Sequence, residues 1–541
     1  MSKFGRKLSH LFSALVLLLS VFVALPGLAK ADATKKITVT INSDGSSYSG
    51  YRIMDAKVDG DNVTYSLNDT YKDAVLKAAS DAKDSSVSSS QEFKEFLKDH
   101  QTSTNSTAGE DKTLRKFADE LYKELKGKDA DVTLKSGAND FSTDKAGYYL
   151  LADTTAVDSK SNDTHNYSAT LLAGLVNKDV TLNVKSTTPT VHKKVLEGDT
   201  DKKESERSYV DATDYAAGDT IPYMITGTIS SQIKSYDTYT YYFTDELPKG
   251  LDLDESSIDV QAEKVTSGYA KGINATNATK LTKDTDPKAK DKDWNATVTK
   301  NADGTTSLKV DVHNLKNLVE DHKISTDDTI VVTYNAKLNK DAVIGAAGNV
   351  NNVKLHYSNN PYSDGEGTTN NKNAKVYTYE LDVNKVTGKE ALAGAGFTLY
   401  KKDASGNYKE VKVLKPEDAV TGTDSKVKNK YVFKELDQGD YKIVETTVPD
   451  GYKKGADVEF TIKAIFASQN SADAMLTSLT VNNDNLKADT ATGIISTNIN
   501  NYTGFVLPST GGMGRYIFLA VGALVVVAAV AFPSLKKKKL Q

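Results

Sequence analysis

The chain has 541 residues, a formal net charge of −4, 26% charged residues and no cysteine. That balance offers no basic face for nucleic acid and rules out a disulfide framework, although an exported chain of this size would be free to use one. The seven histidines, His10, His100, His165, His192, His313, His322 and His356, lack the spacing of zinc ligands, so no metal or cofactor is expected.

Arg6 and Lys7 precede an apolar run from Leu11 to Leu25, and Ala29-Lys30-Ala31 supplies a small-x-small cleavage site. Residues 1–31 therefore read as a secretory signal peptide, with the mature chain beginning near Asp32. A first domain, 32–188, opens on the alternating strand Ile37-Thr38-Val39-Thr40-Ile41 and resumes strands at Gly147 to Leu151. Between them Phe93, Phe96 and Leu97 share one helical face. Leu114, Phe117, Leu121 and Leu125 form a second stripe, so two amphipathic helices are expected to interrupt a β-sandwich.

A second domain, 189–374, is a series of short alternating runs bounded by Gly, Asp, Asn or Pro: Val191 to Val195, Asp219 to Tyr223, Tyr239 to Asp245, Leu308 to Val312, Thr329 to Tyr334 and Asn351 to Tyr357. That pattern predicts a Greek-key-like sandwich. The aspartates Asp284, Asp286, Asp291 and Asp293 lack the glycine and terminal glutamate of a calcium loop and read as a solvated loop. Polar, glycine-rich Asn359 to Asn373 reads as a boundary. A third domain, 375–506, begins with Leu381 to Val386 and closes with a strand from Ile494 to Asn501, again a small antiparallel sandwich. The fold class is thus mainly β: three tandem Ig-like or Cna-type sandwiches, the first with a helical insertion.

The tail, 507–541, carries Leu507-Pro508-Ser509-Thr510-Gly511, an apolar stretch from Ile517 to Phe532, and Lys536-Lys537-Lys538-Lys539. The stretch is shorter than the roughly 20 residues of a spanning helix, but flanking lysines can snorkel and the basic end favours the cytoplasm. The pentapeptide resembles the LPxTG sorting signal of Gram-positive surface proteins. The resemblance implies transient membrane insertion, cleavage by a sortase between Thr510 and Gly511, and attachment to peptidoglycan at the cell-wall surface.

Strand parity places ionisable residues on core faces, since residues two apart point to the same side of a sheet. Lys193 falls inward with Val191 and Val195, Asp245 with Tyr241 and Phe243, and Asn351 with Val353 and Leu355. A bulge would exchange Asn351 for Asn352. In the third domain Lys385 lies with Leu381 and Val383, Glu445 with Tyr441 and Ile443, and Asn501 with Ile499. Burial drives a lysine toward its neutral, nucleophilic form and a carboxyl toward its protonated form. Attack of each lysine on its asparagine, with Asp245 or Glu445 as acid, would leave an isopeptide bond and release ammonia.

The segments Pro189 to Val195, Phe243 to Leu251 and Asn351 to Pro361 resemble the isopeptide-forming second domain of sortase-assembled fimbrial shaft proteins. Lys385, Glu445-Thr446-Thr447-Val448-Pro449-Asp450-Gly451-Tyr452 and Asn501 resemble a Cna B-type domain, with Glu445 in its E box. The resemblance implies a structural, non-enzymatic pilus subunit in which a pilin-motif lysine joins the neighbouring subunit's threonine. Its partners would be a sortase, other pilin subunits and peptidoglycan, with any host surface receptor unnamed. The usual Tyr-Pro-Lys-Asn is absent. Lys185, in Asn183-Val184-Lys185-Ser186, is the nearest counterpart, with Lys194 and Lys160 as alternatives. A basal subunit, or a monomeric wall-anchored adhesin using the same signal, is the competing reading.

Overall fold

The computed structural model describes residues 36–503, apart from 44, 61, 101–111, 157–164, 185–187, 199–205, 265–277, 287, 423–425 and 468–473, together with 520–523. The signal peptide, Lys160, Lys185, the pentapeptide Leu507 to Gly511 and the basic tail lie outside the described residues. Among the described residues no helix is long and apolar enough to cross a membrane.

In the first domain a three-stranded sheet, ordered Gly137–Ser142, Lys36–Asn42, Val180–Asn183, faces a five-stranded sheet built on Ser47–Asp59 and Gly147–Asp153. Ile37, Val39, Ile41, Tyr48, Tyr149 and Leu151 fill the space between them. The helices, inserted between the strands Asn62–Leu67 and Val132–Lys135, form a third layer on the outer face of the larger sheet, packing Phe93, Phe96, Phe117 and Leu121 against Tyr51, Ile53 and Leu150. Both faces of Gly147–Asp153 are therefore covered, which is why all its residues are buried and its sequence is apolar without alternation. The helix Ser90–Asp99 starts at a capping box between Ser89 and Glu92. A third helix, Lys72–Lys83, escapes the sequence reading because its buried stripe is small: Ala74, Val75, Ala78, Ala79 and Ala82.

The middle domain packs two sheets around one core. One is ordered Tyr209–Val210, Val191–Leu196, Ile221–Thr228, Thr329–Leu338, Leu251–Glu263, Thr279–Lys280. The other runs Ala212–Asp214, Lys372–Tyr377, Asn349–Ser358, Tyr241–Leu247, Thr306–Asp311, Asn295–Lys300. Its last strand continues to Tyr377, past the boundary read from the sequence. In the aspartate patch Asp286 and Asp291 are exposed, as a solvated loop requires, but Asp284 departs from that reading. Asp284 is 4% exposed, accepts hydrogen bonds from the Asp291 and Lys292 amides at 3.2 and 3.0 Å, and lies 3.1 Å from His313 Nε2, so the turn closes around a buried acid.

Asn359 to Tyr362 also departs from its reading as a boundary, because it clasps the first domain. The Tyr167 amide donates to the Asn359 carbonyl at 2.8 Å, Asn359 Nδ2 to the His165 carbonyl at 3.0 Å, and the Tyr362 hydroxyl to Asp119 at 2.7 Å. The ring of Tyr362 meets Tyr122 edge-on at 4.7 Å. Asparagine and proline signal a turn, but nothing in the local sequence shows what that turn touches.

The third domain sets Lys428–Leu436, Tyr379–Thr387, Ile494–Asn500 and Leu486–Asp489 in one sheet. Tyr408–Leu414, Gly396–Lys402, Gly439–Thr447, Val458–Ala467 and Met475–Val481 form the other. Its first and last long strands are parallel neighbours, with Lys385 opposite Ile499. The domain docks closely on the middle one. Gly345, at φ +85°, approaches Thr492 and Gly493 so nearly that a Cβ there would sit 2.4 Å from the Thr492 carbonyl, and only glycine meets both demands.

Buried at this junction, Asp214 accepts hydrogen bonds from the Gln438 amide and side chain at 3.1 and 3.2 Å. Burial, reinforced by the neighbouring Asp437 charge, pushes its carboxyl up to about 7. The folded group holds its proton more tightly than an unfolded aspartate. Its contribution to stability is therefore fully present below the ordinary carboxyl range and is lost as the pH rises through about 7. Denaturation at pH 5 and pH 8 should show the docked pair weaker at the higher pH by an amount on the order of 3 kcal/mol. Asp214→Asn should flatten that difference, and an unchanged profile in the variant would refute the assignment.

Candidate functional sites: two buried lysine clusters

In the middle domain the sheet register carries out what parity predicts. Lys193 sits opposite Ile225 in one sheet, Asp245 opposite Val353 and Asn351 opposite Ala374 in the other, and all three point into the core at 2%, 2% and 0% exposure. No bulge separates Asn351 from Asn352; the latter faces outward and accepts from Asn371 Nδ2 at 2.8 Å. Lys193 Nζ donates to Asp245 Oδ2 at 2.6 Å.

Tyr334, from Thr329–Leu338, occupies the centre of the cluster and was not singled out from the sequence. Its hydroxyl donates to Asp245 Oδ2 at 2.6 Å and accepts from Lys193 Nζ at 2.7 Å and Asn351 Nδ2 at 2.8 Å. A phenol has one donor and two acceptor sites, and all are used. The rings of Tyr223 and Tyr334, stacked 5.4 Å apart, flank the amine at 5.2 and 5.1 Å and keep water out. Among the described residues no hydrogen-bond donor of good geometry reaches Asn351 Oδ1.

The protonation states follow from this seclusion. Burial pushes the Lys193 amine down, against the pull of Asp245, and pushes the Asp245 carboxyl up, against Lys193. Tyr334 is raised well above the ordinary phenol value by burial and by the Asp245 charge, so it keeps its proton.

The third-domain cluster is built from other strands in a similar way. Lys385 Nζ donates to Asn501 Oδ1 and, at 3.1 Å, to the Ile499 carbonyl, and stands 3.3 Å from Glu445 Oε1. Asn501 Nδ2 donates to the same Oε1 at 2.8 Å, and the Gly455 amide fixes Oε2 at 2.7 Å. Burial lowers the Lys385 amine. The acid here touches the asparagine directly, with no tyrosine between.

The fallback Lys194 is engaged in a half-hidden ion pair, Nζ to Asp211 Oδ1 at 2.8 Å. Among the described residues the first domain has no buried lysine, its buried polar residues being Ser46, Asn68, Asp153, Asn166, Ser168 and Thr170.

Comparison with known proteins places these sites in context. Residues 261–361 match the Gram-positive pilin backbone subunit 2, Cna-B-like domain; residues 379–473 match the SpaA prealbumin-like fold domain; and residues 499–539 match the LPXTG cell wall anchor motif. The Cna-B-like description thus falls on the middle domain, and the third matches the prealbumin-like one.

The chain is 25% identical over 301 residues to the trypsin-resistant surface T6 protein of Streptococcus pyogenes serotype M6, an alignment covering 52% of this chain. It spans about half, 47%, of that relative's length. Among solved structures it resembles the T6 backbone pilin of serotype M6 Streptococcus pyogenes, described as a modular three-domain structure decorated with variable loops and extensions. That likeness has a TM-score of 0.50 at 18% identity and covers 88% of this chain and all of that one. It also resembles the full-length major pilin SpaD of Corynebacterium diphtheriae, with a TM-score of 0.43 at 15% identity, covering 88% of this chain and 99% of that one. Matches to a Gram-positive pilin backbone domain, a SpaA prealbumin-like fold domain and an LPXTG cell wall anchor motif thus follow one another along the chain.

Proposed function

We propose that this chain is the shaft subunit of a sortase-polymerised surface pilus, joined head to tail from Lys185 of one subunit to Thr510 of the next. Bonds between Lys193 and Asn351 and between Lys385 and Asn501 stiffen it. In each cluster the lysine passes a proton to the acid, leaving a neutral amine and a neutral carboxyl. The amine attacks the asparagine Cγ, the C–N bond to Nδ2 breaks, and ammonia departs. Of the two protons the amine loses, one leaves on ammonia and one stays on the acid. Folding alone positions the groups, and effective molarities of about 10⁵ M or more make an external enzyme unnecessary. The chemistry is self-directed and runs once.

The observation that carries this reading is where the clusters lie. Tension between Lys185 and Thr510 passes through the middle and third domains, which each hold a buried lysine, acid and asparagine. It bypasses the first domain, whose described residues include no buried lysine. Such bonds also resist proteases that need local opening.

Immunoblots of wall extracts test the assembly. A high-mass ladder that collapses to one band in Lys185→Ala is the expected result. A single band in the parent would instead favour the wall-anchored monomer or basal subunit, and a ladder that survives the substitution would displace Lys185 as the joining lysine.

A further inference from the structure

Building on the cross-linking reading, we propose that the Tyr334 hydroxyl is a catalytic proton relay in the middle domain, carrying a proton from Asp245 Oδ2 to the departing Nδ2 of Asn351. The two clusters meet the same demand with different parts. In the third domain Glu445 Oε1 reaches the leaving nitrogen itself, at 2.8 Å. In the middle domain the acid is one methylene shorter, and no hydrogen bond runs between Asp245 and Asn351. The gap is spanned by Tyr334, 2.6 Å from the acid oxygen and 2.8 Å from the amide nitrogen.

The steps balance. Lys193 first gives a proton to Asp245 across their 2.6 Å contact. When Nζ bonds to Cγ of Asn351, Nδ2 becomes a tetrahedral amine with a lone pair and turns from donor to acceptor. Asp245 Oδ2 then donates to the Tyr334 oxygen while the phenol proton passes to Nδ2. The phenol ends as it began. Ammonia leaves as the carbonyl reforms, and Asp245 takes the second proton from Nζ. Because burial holds the Tyr334 proton firmly in the resting state, the phenol acts as a conduit between acid and amine and never as a free phenolate.

Tyr431, which feels the Glu445 charge in the third domain, spends its hydroxyl on the Ala395 carbonyl and is unavailable for such a role. The third domain therefore serves as an internal reference within the same molecule.

The test is intact mass of residues 32–506 at intervals after synthesis, with peptide mapping to locate each bond. The parent should lack about 34 Da, two ammonia molecules, at the first reading. Tyr334→Phe should lack only the third domain's 17 Da at first, with the middle-domain loss slowed about 100-fold. Adding Asp245→Glu to Tyr334→Phe should restore the fast loss, since a glutamate can reach Nδ2 directly. A full deficit in Tyr334→Phe at the first reading overturns the relay. So does a stalled double variant, because the missing hydroxyl would then matter only for packing. A parent with no deficit overturns the cross-linking reading itself.

Discussion

Asp245→Asn should abolish the middle domain's loss of ammonia, leaving the mature chain about 16 Da heavier than the parent once the change of about 1 Da from the substitution is counted, and lower the stability of that domain by on the order of 5 kcal/mol. The substitution conserves volume but removes the acid paired with Lys193, so the proton that must leave Nζ loses its acceptor. The cost has two sources. The open chain regains the conformational freedom that a covalent link between the strands Val191–Leu196 and Asn349–Ser358 removes. The amine of Lys193 is also left in a core without its counter-charge, which breaks a buried pair from one side. Chemical denaturation combined with intact mass separates them, because Lys193→Met with Asp245→Asn removes the second source and keeps the first. A variant that retains the parent's ammonia deficit and midpoint would show that no bond depends on Asp245.

What the sequence disclosed here depended on periodicity. A strand has a period of two, so Val191, Lys193 and Val195 had to share a face, and the same rule assigned Asp245, Asn351, Lys385 and Glu445 to the core from their neighbours alone. Tyr334 could not be found that way. An inward tyrosine among valines in Thr329–Leu338 is indistinguishable from ordinary core packing until the fold brings three polar atoms to its hydroxyl, Lys193 Nζ from its own sheet and Asp245 Oδ2 and Asn351 Nδ2 from the opposite one. The helix Lys72–Lys83 was hidden for a different reason: alanine fills a close helix contact without a strong apolar signal. Asn359 and Tyr362, and likewise Asp284, carry turn chemistry locally and acquire their roles from partners distant in sequence, Asp119 and His165 for the clasp and His313 for the acid. Short-range pattern thus located the buried ionisable residues, and long-range topology supplied the hydroxyl that joins them in the middle domain.

Glu445→Gln should convert the third domain from inextensible to extensible. Its load enters at Tyr379 and leaves beyond Asn501, through parallel strands that are neighbours in one sheet. A bond between Lys385 and Asn501, which are 116 positions apart, shunts tension from the first strand directly to the chain's exit, and residues 386–500 carry none of it. Hydrogen bonds of the sheet then have no part in resisting the pull. Without the bond the same residues lie in series, and the domain can unravel by about 400 Å of contour at roughly 3.5 Å per residue. The middle domain is protected less completely, because residues 352–377 follow Asn351 in the chain and stay in the load path, held by pairing of Lys372–Tyr377 with Asn349–Ser358 and Ala212–Asp214. Pulling single molecules from residue 185 to residue 506 should therefore release about 90 Å from the parent, all of it from that segment. The Glu445→Gln chain should show the same short step and an added one of about 400 Å. A long step in the parent, or its absence from the variant, would mean that force does not cross from Lys385 to Asn501.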